Sequence, residues 1–143
     1  MQSIIKELLV DSFQLPANNE NFPKLRELAK GFCAQENINS DVTCRLLVVL
    51  EELFINTIQH GYRNAEGMAR IELKQTPGYI SIVYEDAAPA FDPFKKALAD
   101  PGVSVNNGKV GGMGLVLIHK MADSLTHERR GEWNRTTILM KSS

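Results

Sequence analysis

The chain has 143 residues, 43% apolar and 23% charged, enough for one domain with a proper core and too few for two comfortable ones. A formal charge of -1 and a pI near 6.3 give no global electrostatic reason to bind nucleic acid or an anionic membrane, so any partner is chosen locally. Cys33 and Cys44 lack CxxC spacing and His60, His119 and His127 fall in no ligand pattern, which indicates neither a disulfide framework nor a zinc site. The start MQSIIKELLVDS carries Lys6, Glu7 and Asp11 within its apolar run, and the longest aliphatic run, Leu46 to Leu50, is far below spanning length. A soluble, cytoplasmic, single domain over residues 1–143 is the expectation.

In chain order, residues 3–15 read as a strand running into the turn LPANNENFP, although IIKELL could also be helical. Residues 22–36 place Phe22, Leu25, Leu28, Ala29 and Phe32 at three- and four-residue steps, with Pro23 in the tolerant first turn, and predict an amphipathic helix. A second helix follows the N-cap candidates Asn39, Ser40 and Asp41 and runs to His60, with Gly61 able to take a left-handed C-terminal position. It is nearly apolar all round and hence central. MARIELKQ and YISIVYED alternate and join through TPG as a hairpin; SLTHERR and RTTILMK form another, turning through GEWN. A helix from about 113 to 122 lies between. This order predicts an α+β sandwich with helices on one sheet face.

Three segments stand out from this frame. In LVVLEELFINTIQHGY, Glu52 and Asn56 are four residues apart and share a helix face, extended by Gln59 and His60. Such a polar stripe can simply meet solvent. Asp86 stands at the exit of a buried strand in VYEDAAPAFDP, with small residues after it, where a lone Asp is also an ordinary turn former. In GKVGGMGLVLIHK, Gly111, Gly112 and Gly114 directly precede an aliphatic helical run. Each glycine in an element interior costs about 0.5–1 kcal/mol relative to alanine, so the cluster asks for either a tight turn or a close approach of an anion to a helix N-terminus. A dinucleotide fingerprint fails because leucine replaces its last glycine, and a P-loop fails because Val110 follows Gly108 and Lys109.

Taken together, ELFIN, EDAAPAFDP and GGMGLVLI, in this order and at these separations, resemble the N, G1 and G2 boxes of the Bergerat-fold or GHKL ATPases. Small size, the DP after the first glycine box and the GGxGLxLI form of the second are most similar to the anti-sigma factor serine kinases of the RsbW type. The resemblance implies a two-layer α/β sandwich with helices on one face of a mixed, mostly antiparallel sheet, binding ATP and Mg2+. It implies that Asn56 helps hold the Mg2+, Glu52 orients or deprotonates the attacking hydroxyl, and Asp86 accepts a hydrogen bond from the adenine amino group. Ala88, Phe91, Lys109, Gly111, Gly112, Met113, Gly114 and Leu115 would complete the nucleotide site. Each role is chemically apt. Asn offers Mg2+ a neutral hard oxygen, a carboxylate one turn earlier can take a proton during phosphoryl transfer, and an ionised Asp is purely an acceptor.

Two positions depart from the family's pattern. Ala88 stands where glycine is usual, and its Cβ could crowd the base or resist a left-handed backbone. Val110 stands where arginine can precede the glycines, with Lys109 one place earlier supplying a point charge without the bidentate fork. Residues 94–110 would be a lid over the nucleotide or merely a disordered loop. His60 reads as a helix-end capping or packing residue, and Trp133 as a packing residue at a turn. The function implied is a protein serine/threonine kinase that sequesters a sigma factor or another regulator and phosphorylates a serine on an anti-sigma antagonist, working as a homodimer with no direct nucleic-acid or membrane partner. The alternatives are a non-catalytic nucleotide-binding module of the same fold and a slow ATPase without protein substrate.

Overall fold

The computed structural model describes residues 11–90 and 118–142. Strand β1 covers Asp11–Pro16, overlapping the range predicted from 3 to 15 and ending one residue past it; the first residues of that range lie outside the described part. A short 3-10 turn, Asn19–Asn21, leads into α1, Phe22–Gln35, which starts on Phe22 and Pro23 as the sequence pattern requires. Helix α2, Ser40–Asn56, begins with Asn39 as N-cap, whose side-chain oxygen accepts from the Val42 N–H at 2.9 Å. Strands β2, Met68–Thr76, and β3, Tyr79–Asp86, form the first hairpin, and β4, Ser124–Arg130, and β5, Trp133–Lys141, the second. The turns follow local chemistry. Pro77 and Gly78 join β2 to β3 with Gly78 at φ +81°, and Gly131, at φ +62°, opens the turn to β5; both glycines adopt a backbone that side-chain-bearing residues resist. That second turn is tighter than GEWN, since Trp133 and Asn134 already belong to β5.

Among the described residues five strands lie in the order β1-β2-β3-β5-β4, each pairing antiparallel. Alternation then decides the two faces. Leu15, Ala69, Ile71, Leu73, Ile80, Ile82, Tyr84, Ile138 and Met140 are buried on the face shared with the helices. Helix α1 contributes Leu25, Ala29, Phe32 and Cys33, and α2 contributes Val42, Leu46, Val49, Leu50, Leu53 and Phe54. Burying each large aliphatic or aromatic side chain is worth about 1.5–3 kcal/mol. The two helices are further joined by the edge-to-face rings of Phe22 and Phe54, centroids 5.0 Å apart, and by an Arg26–Glu51 ion pair at 2.7 Å. The fold is thus α+β, with helices packed against an antiparallel sheet. Helix α2 is central but not apolar all round: Asp41 and Cys44 are exposed, and only one stripe is buried.

On the opposite face, Gln14, Arg70, Glu85, Arg135 and Glu128 are cross-strand neighbours in one row. Glu85 is buried there, paired with Arg135 at 2.8 Å and Arg70 at 3.7 Å, and Arg70 also lies 4.3 Å from the ring centroid of Trp133. Trp133 therefore packs, as read from the sequence, although on a strand.

One prediction is overturned at the end of α2. The α-helix does not run to His60; it stops at Asn56 and continues as a π turn, Thr57–Gly61, closed by the Tyr62 N–H to the Thr57 carbonyl at 2.8 Å. Gly61 is not left-handed either. The positive-φ positions that follow it are Arg63 and Asn64, and Gly61 is needed for a different reason, close approach. Of the helix predicted from about 113 to 122, residues 118–121 are helical and the rest before them lies outside the described residues.

Candidate functional site

The site assembles where the end of α2 meets the end of β3. Asn56 is buried at 6% exposure, so this face of the helix does not simply meet solvent. One turn earlier, Glu52 is half-buried, and its Oε2 is out of contact with solvent and without a hydrogen-bond partner among the described residues. Burial, followed by the neighbouring charge of Glu51, pushes the Glu52 carboxyl above its ordinary value. Gln59 and His60, at the far end of the predicted stripe, are exposed.

Asp86 is far more than a turn former. Its Oδ1 accepts from Asn134 Nδ2 at 2.8 Å and from the Ala88 N–H at 3.2 Å, and its Oδ2 accepts from Thr57 Oγ1 at 2.9 Å. Thr57 Oγ1 is in turn 2.8 Å from the hydroxyl of buried Tyr84. The β4–β5 hairpin locks the turn after Asp86 from the other side. Arg129 donates to the Ala88 carbonyl at 2.7 Å and to Asn134 Oδ1 at 3.1 Å, while Asn134 Nδ2 also reaches the Ala88 carbonyl at 3.0 Å. Tyr62 supplies a third strap: its hydroxyl accepts from the Ala87 N–H at 2.8 Å and donates to the Met68 carbonyl at 2.7 Å. Both tyrosine hydroxyls are pushed up, first by burial and with a contribution from the Asp86 charge, so they act as donors.

Ala88 is buried and not left-handed, which removes one concern read from the sequence: no glycine-only backbone is required there. Its methyl lies against Gly61. A Cβ placed on Gly61 would stand 3.2 Å from that methyl, 3.7 Å from Asp86 Oδ2 and 4.0 Å from the Asn56 carbonyl. Gly61 therefore lets the π turn close onto the Asp86 turn and brings the Asn56 and Asp86 ends together.

Among the predicted site residues, Asn56, Asp86 and Ala88 thus come together around Gly61, with Glu52 one helical turn before Asn56; Phe91, Lys109, Gly111, Gly112, Met113, Gly114 and Leu115, with the 94–110 segment, lie outside the described residues. Thr57, Tyr84, Asn134, Arg129 and Tyr62 were missed by sequence reasoning. A signal existed for one of them: on β5, Asn134, with Thr136, alternates with the same period as Ile138 and Met140, which places polar groups at core positions. Among the described residues no three His, Cys, Asp or Glu side chains converge on a metal-holding position. A buried Asn oxygen instead suits Mg2+ that takes one protein ligand while phosphates and water supply the rest.

This constellation sits on a known frame. The chain belongs to the family of histidine kinase-like ATPase domains, whose model matches residues 15–141. The Serine/threonine-protein kinase BtrW of Bordetella bronchiseptica is 29% identical over 100 residues, covering 68% of this chain and 70% of that protein. An Anti-sigma F factor of Clostridium kluyveri is 27% identical over 126 residues, covering 87% of this chain and 86% of that protein. The chain is a GHKL-family nucleotide-binding module, distantly related to anti-sigma kinases. No helix among the described residues is long and apolar enough to cross a membrane.

Proposed function

We propose that the chain is an ATP- and Mg2+-dependent protein serine/threonine kinase of the anti-sigma regulatory type, and that it works by partner switching. It holds a sigma factor or another regulator until an antagonist competes, and it ends the competition by phosphorylating a serine of that antagonist. The observation that carries this reading is the contrast between two carboxylates: Asp86, held by three internal donors, and Glu52, one helical turn before Asn56, with a buried oxygen that has no partner among the described residues. Asp86 would accept from the adenine amino group, and Asn56 would hold the Mg2+. ATP would supply the phosphoryl group, and Mg2+ held by Asn56 would offset its charge. Glu52 would receive the proton of the attacking serine hydroxyl, a task for which a raised proton affinity is an advantage. Gly111, Gly112 and Gly114 would offer backbone N–H groups to the phosphates. The relatedness to a serine/threonine kinase and to an anti-sigma F factor supports both halves of the scheme.

A second reading, a non-catalytic nucleotide-binding module regulating by contact, is favoured by the Ala88 methyl, buried beside Gly61 where the family usually has glycine. Incubation with γ-labelled ATP, Mg2+ and antagonist-type proteins from the same genome separates the two. The kinase reading expects label on an antagonist serine; nucleotide binding without label on any of them would favour the module.

A further inference from the structure

Thr57 carries more of this site than its place in the chain suggests. An ionised carboxylate has about four acceptor positions. Asn134, the Ala88 N–H and Thr57 fill three of those of Asp86, two on Oδ1 and one on Oδ2. Among the described donors this leaves one position, on Oδ2, the oxygen beside the bare Cα of Gly61. Thr57 Oγ1 has a single proton and two neighbours, Asp86 and Tyr84. Because an ionised Asp can only accept, the Thr57 proton goes to Asp86, and the Tyr84 hydroxyl must donate to Thr57. The chain Tyr84 to Thr57 to Asp86 therefore has one direction. Burial of Tyr84 pushes its hydroxyl well above the ordinary range, so the direction does not reverse at neutral pH. The π turn begins at Thr57, next to Asn56; such turns recur at functional sites because they re-aim side chains.

We propose that Thr57 is a positioning residue that sets base selectivity: it fixes the Asp86 carboxylate and fills one Oδ2 position, so that the remaining one admits a single amino-group donor of a 6-aminopurine nucleotide. This rests on the adenine-binding reading of Asp86. Without the Thr57 hydroxyl the carboxylate is anchored through Oδ1 alone. It can then turn and present Oδ2 to the ring N–H of a 6-oxopurine, which the fixed carboxylate disfavours because the adjacent carbonyl would face it.

The test is calorimetric titration of the full chain with ADP and inosine diphosphate, for the parent, Thr57→Val, Thr57→Ser and Tyr84→Phe. The parent should prefer ADP. Thr57→Val should lose about three- to tenfold in ADP affinity, in keeping with one hydrogen bond to a charged group acting indirectly, and most of its ADP preference. Thr57→Ser should restore both, and Tyr84→Phe should show a smaller loss of preference because Thr57 keeps its bond to Asp86. Should Thr57→Val fail to fold, Thr57→Ser retaining and Tyr84→Phe eroding the preference carries the same claim. A parent that binds and prefers ADP while Thr57→Val and Tyr84→Phe keep that preference unchanged overturns the role of Thr57 and leaves the adenine reading intact. A parent that binds neither nucleotide, or prefers neither, overturns both.

Discussion

Two carboxylates proposed for the site, Asp86 and Glu52, are treated by the fold in opposite ways. Asp86 is gripped from three elements, by Thr57 after α2, Asn134 on β5 and the Ala88 N–H of its own turn, so its orientation is determined before any ligand arrives. Glu52 has a buried oxygen with no described partner and a proton affinity raised by burial. A preorganised acceptor suits recognition, since binding then costs little reorganisation. An under-satisfied, desolvated carboxylate suits proton transfer, because its pKa is brought closer to working pH. Glu85, one residue before Asp86, shows the third possibility: turned to the other sheet face and clamped by Arg135 and Arg70, its charge is spent within the fold.

The largest expected effect tests the Glu52 side. Glu52→Gln preserves volume and removes the base, so phosphate transfer to an antagonist should fall about 10²- to 10⁴-fold while nucleotide affinity in calorimetry stays near that of the parent. Loss of binding together with transfer would make Glu52 a structural residue and dissolve the contrast.

The Asp86 side is broken by loosening its grip. Asn134→Ala removes bonds to Asp86, the Ala88 carbonyl and Arg129, and should cost about 1–3 kcal/mol in denaturant unfolding. Nucleotide affinity should drop in parallel. Unchanged stability would mean that water replaces the amide and that the clamp is incidental.

Gly61→Ala should cost about 1 kcal/mol, because the new methyl would press on that of Ala88 at 3.2 Å. The exchange Gly61→Ala with Ala88→Gly should recover most of it, since the two methyls compete for one space. Additive losses in the double variant would show that the turns do not share that space.

The smallest effect has a sign that depends on pH. The fold favours neutral Glu52, so the native chain keeps this proton above the ordinary value of about 4.5 at which the unfolded chain releases it. Stability contributed by this group is therefore present at low pH and lost as pH rises through the raised value. Glu52→Gln should give a small increase in melting temperature at pH 7 and none near pH 4. An increase of the same size at both would point to a cause other than ionisation.

Much of the frame was legible because it rests on short-range rules. The stripe from Phe22 to Phe32, the Asn39 cap, the Pro77-Gly78 turn and the strand alternation each act within a few residues, and the structure follows them. The end of α2 was misread for a physical reason: a glycine after an apolar run signals a left-handed cap, but what Gly61 meets is the Ala88 methyl 27 positions away, which no local pattern reveals. The Asp86 clamp was hidden likewise. Thr57 looks unremarkable locally, and the β5 alternation marks Asn134 only as a polar group at a core position; their partner is set by the Asp86–Asn134 register and by the extra residue of the π turn.

The central claim, that Asp86 is an acceptor prepared for the base, is tested most directly by calorimetric titration of Asp86→Asn with ATP and ADP in the presence of Mg2+. The account predicts that both affinities fall together by about ten- to a hundredfold, because the lost charge-assisted bond is to the base and ignores the terminal phosphate. Equal affinity in the parent and a folded variant would contradict it.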